Sequence, residues 1–456
     1  MSGQCTNNLS AIIYLIVKSG LIIGIIFISI HPLVAQDHST SLVIPPKSHI
    51  PIRKATGTHL FFAVGARTSV KNPQGVALTK LKSQDDPTTE NDDDELTVYG
   101  VNAGHNEIIY NTSLIHIKIY RPHKNDPGSM LHPRGIAADA AGRVFVADMG
   151  HRRIIELRNA KEGTSLELQQ SGRPTDSTFA PFDVALAADS SVFVSDSAGS
   201  KIWRWYPNQH RWEIVADSIP TPLGIVAYDK IDRWTGYKKS EIGVVARDGR
   251  EVRILDYAGK LVARYQPDDS LSKFRYIAAD YYNNYYVTDS GNNRVVKIDR
   301  NGKFVDSIGK KGKDDYEFLD PQGIAIWKRF GQVCIAESYA AQYYFIGTDI
   351  LRPSITRSDY IMHLQFYLTE RAKVTIIRLS TNAMHPDTLT KQRLMPQGSR
   401  QFTYPIPQDL KAGQYTFQID ATPYYSSTKY FTASRQISWN YQPVSAGGQQ
   451  NEEHND

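Results

Sequence analysis

The chain has 456 residues, a length that predicts more than one domain. Its 52 Lys and Arg residues and 47 Asp and Glu residues give a net charge of +5, without any dense basic block. The composition therefore does not predict a basic surface for nucleic acid. There are two cysteines, and the first of them, Cys5, falls within residues 1–35, which predict an export signal. A processed exported chain would therefore keep one thiol and no internal disulfide.

Residues 1–35 predict an export signal. Apolar runs within residues 11–30 are separated by Lys18, Pro32 ends the apolar stretch, and Ala35 is a small residue suited to cleavage. An uncleaved anchor is the alternative, since the stretch is nearly long enough to span a bilayer, but Lys18 in its middle disfavours it. We expect an exported protein that is periplasmic, cell-surface or extracellular, and membrane or envelope association through the N-terminus stays open.

A proline-rich linker is predicted next, over residues 36–56, and six copies of one short pattern follow it. A first strand carries a Gly-Ile-Ala-type triplet, a second strand ends at a polar turn, and a third begins with a branched or aromatic residue. The glycine positions of the six copies are Gly75, Gly135, Asp183, Gly224, Tyr276 and Gly323. The turn positions are Asn102, Asp148, Asp196, Arg247, Asp289 and Glu337. With a fourth strand per copy, the pattern predicts an all-β, six-bladed β-propeller.

This pattern resembles the NHL-repeat family over roughly residues 57–350. Copies two and five match it best, whereas copy three has Asp183 where the family prefers Gly, and copy four has Arg247 where it prefers Asp. Copy six ends after its third strand. The run His59–Gly65 matches the fourth strand of copy five, so we expect it to pair with the last blade and close the ring.

Residues 351–440 follow a different pattern, in which apolar residues alternate along five or more short segments. Such a pattern predicts a small β-sandwich. The runs at 364–376 and 410–417 resemble the Ig-like domain of flagellar hook-capping type. The tail, residues 441–456, is rich in Gly, Gln, Asn and Glu and predicts disorder.

No catalytic motif is present: the chain has no Gly-x-Ser-x-Gly, no His-Glu-x-x-His, no phosphate loop and no paired cysteines. The aspartates that end the second strands are explained by a role in turns. We therefore predict no catalytic residue, no metal ligand and no cofactor.

The residue before each first-strand glycine should face the mouth of the central channel. These residues are Gln74, Arg134, Phe182, Leu223, Arg275 and Gln322. Arg134 and Arg275 belong to opposite blades, and forked guanidinium groups suit a carboxylate or phosphate. Copies one and four also carry long insertions between strands one and two, Lys80–Glu95 and Lys230–Glu241, and loops on a rigid scaffold often bind ligands. The candidate ligand-binding residues are Arg134, Arg275, Gln74, Gln322, Trp234 and Tyr237.

We interpret the chain as an exported, monomeric, non-enzymatic binding or scaffold protein. Its propeller would recognise a protein, peptide or glycan, and nucleic acid is not an expected partner. The alternative is a metal-dependent propeller lyase or lactone hydrolase with its site in the channel. Such an enzyme requires carboxylates or histidines at the channel mouth, and the register of the repeats supplies neither set.

Overall fold

The computed structural model describes residues 38–46, 52–84, 96–111, 116–160, 165–379, 387–425 and 431–443. The predicted export signal lies outside the described residues. So do most of the first insertion and the predicted tail beyond residue 443. Among the described residues, no helix is both long and apolar enough to cross a membrane.

The described chain is nearly all β. It begins with two short strands and one helix, which are β1 (Leu42–Val43), β2 (Lys54–Thr56) and α1 (Gly57–Val64). Single turns of 3-10 helix lie at Gly65–Arg67, Ala103–His105, Met149–His151 and Pro207–Gln209.

Five antiparallel sheets of four strands each follow along the chain. Sheet A contains β3 (Pro73–Thr79), β4 (Thr97–Asn102), β5 (Glu107–Asn111) and β6 (Ile117–Tyr120). Sheet B contains β7 (Pro133–Ala138), β8 (Arg143–Asp148), β9 (Arg153–Ala160) and β10 (Ser165–Gly172). Sheet C contains β11 (Pro181–Leu186), β12 (Val192–Asp196), β13 (Lys201–Tyr206) and β14 (Arg211–Ala216). Sheet D contains β15 (Ile225–Tyr228), β16 (Glu241–Ala246), β17 (Glu251–Asp256) and β18 (Leu261–Tyr265). Sheet E contains β19 (Phe274–Ala279), β20 (Tyr285–Asp289), β21 (Arg294–Ile298) and β22 (Phe304–Ile308).

One more sheet completes this part of the chain. A short parallel pair comes first, β23 (Lys310–Lys311) and β24 (Glu317–Phe318). Sheet F then contains β25 (Pro321–Trp327), β26 (Gln332–Glu337) and β27 (Ala340–Ile346). Both β1 and β2 pair with β27, so the N-terminal strands form its outer edge.

The first strands of sheets A to F surround a common axis. Each first strand lies beside that of the next sheet, and β25 lies beside β3. The fold is therefore a β-propeller. The backbones approach so closely that a Cβ on Gly75 would lie 2.9 Å from the Arg134 carbonyl oxygen, and one on Gly224 would lie 2.6 Å from that of Arg275.

Buried acids at the ends of the second strands accept hydrogen bonds from the loops that lead into the first strands. Asp148 accepts a hydrogen bond from the Leu131 amide (2.7 Å), and Asp289 accepts one from the Lys273 amide (2.8 Å). Both carboxylates are fully buried and also bind an arginine of the third strand. These acids are structural, as their positions in the repeat predict.

The closing strand is not the one that the sequence predicts. Residues His59–Gly65 lie in α1 and the turn after it, because the His59 imidazole accepts a hydrogen bond from the Thr56 amide (3.1 Å) and starts a helix. Sheet F is closed instead by β1, with Leu42 opposite Ile346, and by β2. Part of the predicted linker, residues 36–56, thus belongs to the propeller. The strand prediction was wrong because a short apolar run fits either element.

Residues 350–441 form two antiparallel sheets. In chain order their strands are β28 (Ile350–Ser358), β29 (Ile361–Leu368), β30 (Ala372–Leu379), β31 (Asp387–Met395), β32 (Gly398–Pro405), β33 (Gly413–Pro423) and β34 (Ala433–Tyr441). One sheet has the order β28-β29-β32 and the other β31-β30-β33-β34. Apolar residues of both sheets, among them Leu364, Phe366, Val374 and Ile419, share one core. We call this part the C-terminal module.

The C-terminal module is attached to the propeller through buried polar groups. The Lys297 ammonium of sheet E lies 2.7 Å from the Glu370 carboxylate of the module, and both side chains are fully buried. The Asn284 amide donates to the same carboxylate (3.3 Å). An unpaired charge in such a place is costly, so the ion pair ties the two parts together.

We expect Leu42→Ala to destabilise the protein by about 2–5 kcal/mol, because Leu42 is fully buried in the closing strand. Ile52→Ala is the control, since Ile52 is 42% exposed, and should change stability by less than about 0.5 kcal/mol. Urea unfolding measures both. Equal losses would mean that residues 42–43 do not close the propeller.

Replacing Lys297 by Met should cost about 3–5 kcal/mol, because it leaves the Glu370 carboxylate buried without its cation. The double variant Lys297→Met/Glu370→Leu should recover part of this loss. Lys310→Met is the matched control, since Lys310 is 78% exposed beside Glu317 and such pairs contribute little. A Lys297 variant as stable as the control would contradict the buried attachment.

Candidate ligand-binding site at the channel mouth

The residues predicted to face the channel mouth occupy equivalent positions in their strands. Arg134 is the second residue of β7, Arg275 the second of β19, Gln74 the second of β3 and Gln322 the second of β25. Because the first strands run side by side around one axis, these positions lie at one end of the channel. The structure therefore brings these four predicted residues to the same opening.

Tyr276 closes the channel below this opening. Its hydroxyl, carried by sheet E, donates to Gln74 Oε1 of sheet A (3.2 Å), and its ring centroid lies 5.4 Å from that of Phe182 in sheet C. The side chain is 3% exposed, and burial raises the pKa of Tyr276 well above its ordinary value. A neutral phenol thus forms a floor across the channel.

Asp183 is a second polar group inside the ring. Its carboxyl accepts hydrogen bonds from the amides of Val184 and Ile225, each at 2.9 Å, and so links sheet C to sheet D. Burial raises the pKa of Asp183 to about 8, although these two bonds oppose the shift. Near neutral pH the group is therefore mostly protonated and carries little negative charge.

Arg134 and Arg275 place two positive charges at the mouth. The Nε atoms of both are buried, and neither guanidinium forms a hydrogen bond or ion pair with any residue that the structure describes. The Arg134 guanidinium lies 5.9 Å from the centre of the Phe182 ring. By contrast, Arg153 and Arg294 pair with buried aspartates at 2.9 and 3.0 Å. A guanidinium stays charged, so these two groups can donate hydrogen bonds to an anion that binds at the mouth.

The glutamines of the mouth are already held by their own loops. The Gln74 amide donates to Asn72 Oδ1 (2.9 Å), and the Gln322 amide donates to Asp320 Oδ1 (2.8 Å). Both side chains are buried. We therefore assign both glutamines to the wall of the mouth and the two arginines to direct contact with a ligand.

Trp234 and Tyr237 lie at the other end of the ring. They belong to the insertion after β15, whose Gly236 amide donates to the Tyr281 carbonyl (2.7 Å), just past the end of β19. Arg275 stands at the start of that same strand, about 20 Å away at the rise of a β-strand. The six candidate residues therefore fall into two groups that cannot share one small ligand.

Sequence reasoning did not assign Asp183 and Tyr276 to the site. The signal was present, because they are the two residues that replace the first-strand glycine of the repeat. Asp183 was attributed to divergence of copy three, and Tyr276 was counted as an ordinary first-strand residue of copy five, whereas both side chains are buried and bond across the ring. Within the described ranges, no three His, Cys, Asp or Glu side chains are grouped closely enough to hold a metal.

No protein-family model matches the sequence, and no curated protein matches it either. Solved structures similar to the chain include virginiamycin B lyase from Staphylococcus aureus (15% identity, 55% of this chain and 76% of that one, TM-score 0.41). A gluconolactonase from Xanthomonas campestris is another (13% identity, 60% and 86%, TM-score 0.44). A chain of the nidogen–laminin complex is a third (18% identity, 52% and 80%, TM-score 0.39). Similarity this low identifies neither a ligand nor an activity.

The raised pKa of Asp183 predicts a pH dependence of stability. The folded state holds this proton up to about pH 8, whereas an unfolded aspartate loses it near pH 4, so unfolding free energy should fall as pH rises between these values. Asp183→Gly, which restores the repeat, should flatten the profile between pH 5 and 7.5 by up to about 1.4 kcal/mol per pH unit. Urea unfolding across that range, with the exposed Asp359→Asn as control, measures it. Parallel profiles for Asp183→Gly and wild type would contradict a protonated Asp183.

Proposed function

We propose that the protein is an exported binding protein that holds an anionic group of its ligand between Arg134 and Arg275. The observation that carries this proposal is the pair of buried, unpartnered Nε donors at the channel mouth. The ligand would be a protein, peptide or glycan that presents a carboxylate or phosphate. The N-terminal apolar segment supports export, and the protein would act as a monomer without enzymatic activity.

The residues around the two arginines favour an anion that binds at the mouth and does not pass through the channel. Phe182 and Leu223 supply apolar walls, and Tyr276 supplies the floor. Because Asp183 is mostly protonated near neutral pH, it does not cancel the two positive charges. A terminal or side-chain acidic group fits this opening, whereas a chain could not pass through the ring.

The architecture assigned to this protein is part of the proposal. We take sheets A to F as six blades of an NHL-type ring and the C-terminal module as an Ig-like domain. The order of the first strands around the axis and the core shared by the module's two sheets support this assignment. The module would aid envelope association or presentation of the propeller, and its buried attachment at Lys297 and Glu370 would keep the channel mouth in a fixed orientation.

A metal-dependent lyase or lactone hydrolase in the channel stays the alternative. That function would need several carboxylates or histidines around the opening. The mouth and floor instead present arginine, glutamine, tyrosine and apolar side chains, with Asp183 as the one acid among the residues assigned to them. The binding role therefore fits the described channel better.

The binding proposal is tested with the double variant Arg134→Gln/Arg275→Gln. Charge-assisted hydrogen bonds contribute roughly 1.5–3 kcal/mol each, so affinity for an anionic probe should fall by about tenfold or more. Suitable probes are citrate, inorganic phosphate and acidic dipeptides, with binding measured by calorimetry on the processed chain.

The melting temperature should stay nearly unchanged, because neither guanidinium has a hydrogen bond or ion pair to lose among the described residues. The control is Arg158→Gln/Arg173→Gln, which removes two exposed cations elsewhere on the propeller. If wild type binds none of the probes, or binds them no better than the double variant, the mouth is not an anion site.

A further inference from the structure

We propose that the end of the propeller opposite the channel mouth carries a second binding surface, which recognises an acidic polysaccharide. This basic surface is formed by Lys230, Arg233, Lys238, Lys239, Arg300, Lys328 and Arg329. It shares no residue with the mouth and lies about 20 Å from it along the first strands. The inference therefore stands whether or not the mouth binds an anion.

The insertion that supplies most of these cations is a fixed structure. Thr235 is 2% exposed, and its hydroxyl lies within hydrogen-bond distance of the carbonyls of Asp229 (3.1 Å) and Asp232 (2.8 Å). The Tyr237 amide donates to the Tyr228 hydroxyl (2.9 Å). The Gly236 amide binds the neighbouring sheet E, as described above. The backbone that carries these cations is therefore held by hydrogen bonds, which lowers the entropy cost of binding.

Three sheets contribute to the basic surface. Trp234 contacts two cations of this surface. The guanidinium groups of Arg233 and Arg329 lie 4.7 and 5.0 Å from the ring centre of Trp234. Tyr237 contacts a third cation, since the Arg300 guanidinium lies 4.7 Å from the centre of the Tyr237 ring. Arg300 belongs to the turn after β21 in sheet E, and Arg329 belongs to the turn after β25 in sheet F. Aromatic contacts thus hold planar cationic groups side by side.

The acids near this surface offset part of its positive charge. Asp232 pairs with Lys328 (3.3 Å), and Glu241 is buried and accepts from the Asn283 amide (2.5 Å). Asp256 and Asp299 accept backbone hydrogen bonds within their own turns. Against the seven cations stand these four acids and the buried Asp229, so a net positive charge remains that attracts a polyanion.

A surface hollow gives the ligand a place to enter. It measures about 390 Å³ and is lined by Lys230, Lys238, Lys239 and Ser240, with Glu241, Asp256 and Val262. The three lysines of this hollow would offer ammonium groups to one charged unit of a longer chain. The remaining units would follow the arginines held by Trp234 and Tyr237.

The same contacts favour a polysaccharide over a nucleic acid. Proteins that bind single strands stack bases on aromatic faces. Here the rings of Trp234 and Tyr237 are already in contact with guanidinium groups. Forked guanidinium donors match carboxylate and sulfate groups, which are the charges of acidic polysaccharides. The predicted export of the chain would also bring it to such polymers.

The test compares the triple variant Arg233→Gln/Lys238→Gln/Lys239→Gln with wild type on two probes, polygalacturonate, which carries carboxylates only, and heparin, which carries sulfates as well. We expect wild type to bind at least one polymer near physiological salt. The variant should lose about tenfold or more in affinity, and it should elute from the immobilised polymer at lower salt. Lys238→Arg/Lys239→Arg keeps the charge and should bind as wild type does.

The control variant Lys124→Gln/Arg173→Gln/Lys391→Gln removes three exposed cations from other surfaces and should leave polymer binding intact. Arg134→Gln/Arg275→Gln should also leave it intact, which separates this surface from the mouth. The proposal is overturned if wild type binds neither polymer, if the triple and control variants lose equal affinity, or if single-stranded DNA competes better than both polymers.

Discussion

The close approach of the first strands is the constraint on which the rest of the structure depends. Neighbouring backbones leave no room for a Cβ at positions such as Gly75 and Gly224. The two sheets that carry a larger residue there send Asp183 and Tyr276 into the centre of the ring, where both are buried. Those two side chains fill part of the space that the first strands surround.

Much of this arrangement could be predicted from the sequence, because alternating apolar residues and Asp-containing turns recur in register. The position of Arg134 at the mouth follows from the glycine beside it. The contact between Tyr276 and Gln74 does not, since 202 residues separate them and only the diameter of the ring brings them together. The closing strand was also missed, because Thr40 and Leu42 are held by long-range contacts that local patterns do not encode.

The two ends of the propeller differ in chemistry, and the C-terminal module is attached to one side. Two arginines with buried Nε atoms lie at the mouth, whereas lysines and arginines in contact with Trp234 and Tyr237 lie at the other end. The module is attached through a fully buried ion pair, whose desolvation cost offsets much of its attraction. Segment 38–44 adds to this attachment, since the Ser41 hydroxyl lies within hydrogen-bond distance of both Asp306 (2.6 Å) and Thr369 (2.8 Å).

A crystal structure of the processed protein with bromide, located by its anomalous scattering, tests the central claim most directly. The account predicts a bromide ion at the mouth, within hydrogen-bond distance of the guanidinium groups of Arg134 and Arg275, with the Tyr276 hydroxyl bound to Gln74 below it. A mouth without bromide, with both guanidinium groups paired to protein carboxylates or carbonyls, would contradict it.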